Sequence, residues 1–168
     1  MLHVFQPLPI EETDLNPFEL IGTGWAALTA SGAGKVNCMT VSWGSLGTLW
    51  NKKVCQVYVR ESRFTKEILD ASDYFSLTFF PAKYKSTLKY LGAVSGRDEN
   101  KFKQAKLAVN LHKEVPFIDD GHFVICCKKI AAIPMPLDCL PEDIKNQFYQ
   151  DGDPHTMYVG EIIEMMAR

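Results

Sequence analysis

Much that would place this chain at a glance is missing from it. There is no run of about 18 apolar residues, so no membrane-spanning helix is expected. The start, MLHVFQPLPIEETDL, has neither a basic opening nor an apolar stretch of secretory length, so no signal peptide is expected. Five cysteines are present, an odd number with no CxxC pair, which argues against a disulfide framework or a zinc ribbon. Cys126 and Cys127 are adjacent and would face opposite ways in a strand. Reduced thiols and a cytoplasmic location are the expectation. No GxGxxG follows a strand, no GxxxxGK[ST] occurs, and no GxSxG elbow exists. His3, His112 and His122 show no metal-ligand spacing, and no metal site is expected.

Excess positive charge is missing too. With 18 Lys and Arg against 20 Asp and Glu, the net charge is −2, and no global field would recruit nucleic acid. Locally the balance shifts. From Lys83 to Lys106 there are seven basic residues against Asp98 and Glu99, whereas from Asp138 onward seven acids face only Lys145 and Arg168. A small anion suits the basic stretch better than a long polyanion.

What remains is a chain of 168 residues, 46% hydrophobic and 23% charged, without repeats or a Gly/Ser linker. One domain over residues 1–168 is expected. Trp25–Thr29 and Val36–Val41 read as strands joined by a glycine turn. Val54–Val59 alternates, with Gln56 and Tyr58 on one face and Cys55, Val57 and Val59 on the other. Further strands are expected at Phe75–Phe80, His122–Ile133 and Met157–Met165. Helices are expected at Phe64–Ala71, at Tyr84–Leu91 with Gly92 as C-cap, from Ser95 to about Ala108, and at Pro141–Tyr149. Six or seven strands with four short helices, not in βαβ alternation, give a mainly β, α+β fold. An antiparallel sheet closed into a small barrel with helices outside fits best.

Four segments could carry chemistry. Val59-Arg-Glu-Ser-Arg-Phe-Thr65 joins a strand to a helix. Arg60, Ser62 and Thr65 could hold a phosphate there, although the same spacing is that of an ordinary N-cap. Val94-Ser-Gly-Arg-Asp-Glu-Asn-Lys101 is a second helix start, where Ser95, Gly96 and Lys101 offer a hydroxyl, a close backbone approach and a charge. In Asn37-Cys-Met-Thr-Val-Ser-Trp-Gly44 the polar residues Thr40 and Ser42 precede Trp43 and a glycine turn, a strand end suited to a planar ring. His155, beside a Gly/Pro turn, is the preferred histidine.

Taken in order, these four blocks resemble the flavin reductase-like proteins of the flavoredoxin type, from about Trp25 to Ile162. The resemblance implies an FMN-binding split β-barrel, a Greek-key-like six-stranded antiparallel barrel, usually a homodimer with FMN at the subunit interface. Asn37, Met39, Thr40, Val41, Ser42 and Trp43 would lie along the flavin ring and ribityl chain, with Trp50 as a further ring neighbour. Arg60, Ser62 and Thr65 would hold the phosphate or nearby ribityl oxygens, Ser95, Gly96 and Lys101 would close the site, and His155, as the catalytic residue, would lie near the flavin face or the nicotinamide donor. NADH or NADPH is the implied electron donor, with a redox partner protein as an alternative. The usual T-x-N-P-x-S signature is replaced here by T-V-S-W-G, which leaves room for a tightly held FMN in an electron carrier. Two other readings share the barrel: a non-catalytic flavin or haem module, and a pyridoxamine-phosphate-oxidase-like enzyme.

Overall fold

Along the best-alternating segment, Cys55, Val57 and Val59 are fully buried in the main core, while Tyr58 and Arg60 turn to the other face. This strand organises the fold in a computed structural model that describes residues 2–168. In chain order the strands are β1 (Gln6–Pro7), β2 (Ala26–Gly32), β3 (Lys35–Val41), β4 (Gly44–Leu49), β5 (Lys52–Arg60), β6 (Tyr74–Phe79), β7 (Val109–His112), β8 (Val115–Ile118), β9 (Phe123–Pro134) and β10 (His155–Ala167). The helices are α1 (Phe64–Asp70), α2 (Lys85–Ala93), α3 (Lys101–Ala105) and α4 (Glu142–Phe148).

Eight strands form one antiparallel sheet in the order β3-β2-β6-β9-β10-β5-β4, with β1 added on β10. β3 touches β5, but among the described residues no ladder closes the sheet there. The barrel is therefore split, as the family resemblance implies; the closed sheet expected from the strand pattern alone opens at this seam. β10 is the longest strand and pairs with β9 on one side and β5 on the other. A bulge at Val159/Gly160 and the lack of a side chain at Gly160 let it press on Phe75, whose ring lies 2.5 Å from where a Cβ would stand.

Three two-residue turns shape the hairpins, each with both residues at positive φ: Ala33-Gly34, Trp50-Asn51 and Lys113-Glu114. The first is the glycine turn expected from the sequence. The other two were not foreseen, and with them went strand β4 and the hairpin β7–β8. Two expected helix ends also move. Gly92 lies inside α2, which ends at Ala93 with Val94 as its C-cap. The helix expected from Ser95 begins only at Lys101, where Asn100 caps it by accepting from the Lys103 amide at 3.0 Å. Ser95 instead accepts from the Arg97 amide at 3.2 Å, closing a turn.

Cys126 and Cys127 do face opposite ways, into two different clusters. All five cysteines are free, and among the described residues no His/Cys/Asp/Glu group could hold a metal. No helix among them is long and apolar enough to cross a membrane.

Candidate functional site

Antiparallel register brings the distant motifs together. His155, the first residue of β10, pairs with Arg60, the last of β5. Beside them β3 ends at Val41, and Trp43 follows. His155 is 6% exposed, and its ring centroid lies 5.2 Å from that of Trp43. Phe148 at the end of α4 meets Trp43 edge-on at 5.3 Å. With Met39, Tyr58 and the segment Thr40–Trp43 these residues line a compartment of about 250 Å³. It is largely aromatic, with the Arg60 and Arg63 side chains on its border with the next compartment. His155 Nδ1 is hydrogen-bonded to the Tyr149 hydroxyl at 2.8 Å. Burial, helped by the nearby Arg60 guanidinium, lowers its pKa to about 4, so the ring is neutral near pH 7.

Met39, Arg60 and Arg63 are shared with a second compartment of about 430 Å³, walled by the start of α1 and the 93–97 segment. Asn37, Ser62, Thr65, Ser95, Gly96 and Lys101 all line it, as the sequence led us to expect. Gly96 sits directly on Asn37, where a Cβ would fall 2.5 Å from Oδ1. Asn37 donates to the Thr65 hydroxyl at 3.0 Å, so β3, α1 and this segment lock together.

Most of the charge expected to hold a ligand is, however, already engaged. Arg60 donates to the carbonyls of Phe148 at 2.7 Å and Asp153 at 2.9 Å, and pairs with Asp151 at 3.3 Å. Ser62 gives its amide (3.1 Å) and its hydroxyl (2.5 Å) to the Asp153 carboxylate. Lys101 is 3% exposed and donates to the Cys38 and Leu91 carbonyls at 3.0 and 2.7 Å. It ties β3 to the end of α2, and burial lowers its pKa. In the structure these three act as ties that face the cleft. The Thr40 hydroxyl is likewise turned away, donating to Leu88 O at 2.5 Å beneath α2. Only its backbone faces the ring compartment. Trp50 lines neither compartment: it sits at the β4–β5 turn, with all of β5 between it and Arg60, roughly 26 Å at about 3.3 Å per residue.

One residue was passed over. Arg63 is the N-cap residue of α1 and lines both compartments. It donates from Nη1 to Gly92 O at 2.9 Å, and its other guanidinium nitrogens have no hydrogen-bond partner among the described residues. The motif Val59–Thr65 contained it, but Arg60 at the strand end looked the better anchor.

The sequence matches the family described as "Flavin reductase like domain" over residues 18–168. No curated protein matches it. Among solved structures, flavoredoxin from Methanosarcina acetivorans aligns with a TM-score of 0.69 at 22% identity, over 86% of this chain and 68% of that one. An FMN-binding domain of a flavin reductases-like enzyme from Shewanella baltica OS155 aligns with a TM-score of 0.70 at 16% identity, over 99% and 78%. The NADH:FAD oxidoreductase of Streptomyces globisporus C-1027 gives 0.64 at 17% identity, over 86% and 75%. At such identities these structures speak for a common fold. The family match spans most of the chain and carries the assignment: the chain belongs to the flavin reductase-like family.

Proposed function

We propose that this protein is an FMN-dependent oxidoreductase that passes electrons from NADH or NADPH to an acceptor, working as a homodimer in the cytoplasm. The observation that supports it most is the pairing of two compartments. One is an aromatic slot, bordered by Arg60 and Arg63, of a shape and chemistry suited to a planar ring. The other opens directly from it and holds hydroxyls together with the unengaged donors of Arg63.

The residues present fit FMN. The ring would lie between Trp43, Tyr58 and His155, against the backbone of Thr40–Trp43. The phosphate would face Arg63, Thr65 and Ser95. Bound there, the flavin supplies the electron-transfer chemistry. The chain's own residues orient and shield. The side chains of Phe148 and Trp43 exclude water from one end, and neutral His155 adds no charge beside the ring. Electron transfer of this kind needs no acid/base pair of the protein, and none is assembled in the slot.

The homodimer does not rest on surplus aromatic surface. Phe75 and Phe79 are 0% and 2% exposed and belong to the core. It rests instead on the family and on the open seam of the barrel. The visible spectrum of the purified protein tests the cofactor: flavin maxima are expected, with FMN released on denaturation. Anaerobic stopped-flow mixing with NADH and NADPH tests the donor. Flavin bound but never reduced by either would replace the enzyme reading with an electron carrier fed by another protein. A stable monomer of about 19 kDa in light scattering would remove the dimer.

A further inference from the structure

The wall of the aromatic slot carries one polar atom that the fold leaves free. His155 is 6% exposed, and its Nε2 has no hydrogen-bond partner among the described residues. Yet Nε2 is not sealed in: the buried side-chain polar atoms without a partner are Thr29 Oγ1 and the Tyr90 hydroxyl. Nε2 therefore reaches open space, and the compartment that His155 lines is the slot. The other ring nitrogen is turned elsewhere. Nδ1 meets the Tyr149 hydroxyl at 2.8 Å, and Tyr149 lines no part of the slot.

Which of the two rings supplies the proton of that bond decides what Nε2 can do. With its pKa lowered to about 4, the imidazole carries a single N–H near pH 7, on one nitrogen or the other. Burial raises the Tyr149 pKa, so its hydroxyl keeps its proton. The hydroxyl has no other partner among the described residues. If it accepted from Nδ1–H, its own proton would lack an acceptor in a residue only 9% exposed. If it donates, its proton is used, Nδ1 is satisfied, and the ring proton sits on Nε2.

Both rings are held for this contact. The Tyr149 amide closes the end of α4 on Lys145 O at 2.9 Å, and its carbonyl accepts from the Gly152 amide at 3.0 Å. The Arg60 guanidinium lies 5.3 Å from the Tyr149 ring centroid and ties down the neighbouring Phe148 carbonyl. His155 is fixed by its pairing with β5 and by its own carbonyl, which accepts from the Met135 amide at 3.0 Å. The two rings meet edge-on, at 87°.

We propose that Tyr149 is a positioning residue: it donates to His155 Nδ1 and so presents Nε2–H as a fixed hydrogen-bond donor to an acceptor atom on the edge of the ring bound in the slot. The proposal rests on the flavin reading above and deepens it by giving the His155 contact a direction. The acceptor is a carbonyl oxygen or an unprotonated ring nitrogen. A ring edge without one would leave Nε2–H unpaired and be disfavoured. His155 gives a hydrogen bond and keeps its proton, so no acid or base is added to the slot.

Nitrogen NMR of the histidine-labelled protein reads the tautomer directly and needs no flavin, with His155→Leu assigning the signals. The wild type should show Nε2 protonated and Nδ1 bare near pH 7. In Tyr149→Phe, which keeps the ring and its contact with Arg60, the Nδ1–H form should appear beside it. Fluorescence titration reads the consequence. Tyr149→Phe should weaken FMN and riboflavin alike by about two- to tenfold, the range of one neutral hydrogen bond. In the His155→Leu background the same change should move neither affinity, because Tyr149 acts only through His155. A proton on Nδ1 in the wild type overturns the proposal without any variant. So does a tautomer that Tyr149→Phe leaves unchanged, or equal losses with and without His155. Failure of the wild type to bind either flavin overturns the flavin reading instead, and the tautomer still decides whether Tyr149 sets the donor.

Discussion

The two ends of the flavin cleft are built from similar sequence signals and reach opposite states. At the aromatic end, Trp43, Tyr58 and His155 stand where a ligand ring would meet them, and the His155 ring is neutral. At the neighbouring end, Arg60, Ser62 and Lys101 also point toward the cleft, but each is already satisfied by the protein. Apolar and aromatic groups incur no penalty for waiting unpartnered at a surface. A charged or hydroxyl group finds any acceptor its neighbours offer, because leaving it half-buried and unpaired is unfavourable. The identity of an anchor therefore depends on which donors the surrounding loops leave over, and here Arg63 is the residue with donors left over.

The largest test of this contrast is Lys101→Met. If the lysine is a tie rather than an anchor, its loss orphans the Cys38 and Leu91 carbonyls, at about 1–3 kcal/mol for each buried group left unpaired. Urea unfolding should show a clear drop in stability. The preference for FMN over riboflavin should survive. A lost preference with unchanged stability would restore Lys101 as a phosphate ligand.

Next comes Arg63→Ala. A charge-assisted contact to phosphate contributes roughly 1.5–3 kcal/mol, so FMN should weaken by about ten- to a hundredfold while riboflavin, lacking the phosphate, hardly changes. Arg60→Ala should instead leave the ratio of the two affinities intact. Flavin fluorescence titrations of both variants check this, and the reverse pattern would return the anchor to Arg60.

Much of the frame was legible in the sequence, and the failures have a common cause. The alternation of Val54–Val59 gave β5, and the Ala33-Gly34 turn gave the hairpin β2–β3, because period and glycine are local signals. Trp50-Asn51 and Lys113-Glu114 adopt the same left-handed turn without glycine. Nothing in their composition announces it, so β4 and the β7–β8 hairpin were missed. Ser95 and Asn100 both offer a cap, and Asn100 caps the helix while Ser95 closes the turn before it. The candidate residues did gather as the four motifs suggested, except Trp50. What could not be read was which of them were free. That depends on the β5–β10 register, which sets Arg60 against the 148–153 loop, residues some 90 positions away in the chain.

A third prediction concerns the aromatic end. The His155 pKa falls from about 6.5 in the unfolded chain to about 4 in the fold. Between these values the unfolded state binds more protons, so stability rises with pH across that window. The contribution is complete above about pH 6.5 and is lost as pH falls toward 4. Thermal melts from pH 7 to 4.5 should show this slope, and His155→Gln should flatten it. An unchanged slope in the variant would place the acid sensitivity elsewhere and leave the neutrality of the His155 ring unsupported.

The smallest effect is expected where the two ends meet, at Asp153→Asn. The Asp153 carboxylate now accepts both donors of Ser62, and its charge lies in the compartment assigned to the phosphate. A carbonyl in its place can still accept from Ser62, so the loop should stay put and stability should change little. One negative charge facing the phosphate is removed. Because the group is only partly buried, its repulsion is damped by solvent and worth about 0.5–1 kcal/mol. FMN should therefore tighten by about two- to fivefold, riboflavin should not respond, and the gain should shrink as salt is raised. If FMN weakens instead, Asp153 is holding Ser62 in the position that the phosphate needs. The engaged donors of this end would then be part of the binding geometry rather than lost to it, and the contrast between the two ends would narrow to Arg60 and Lys101.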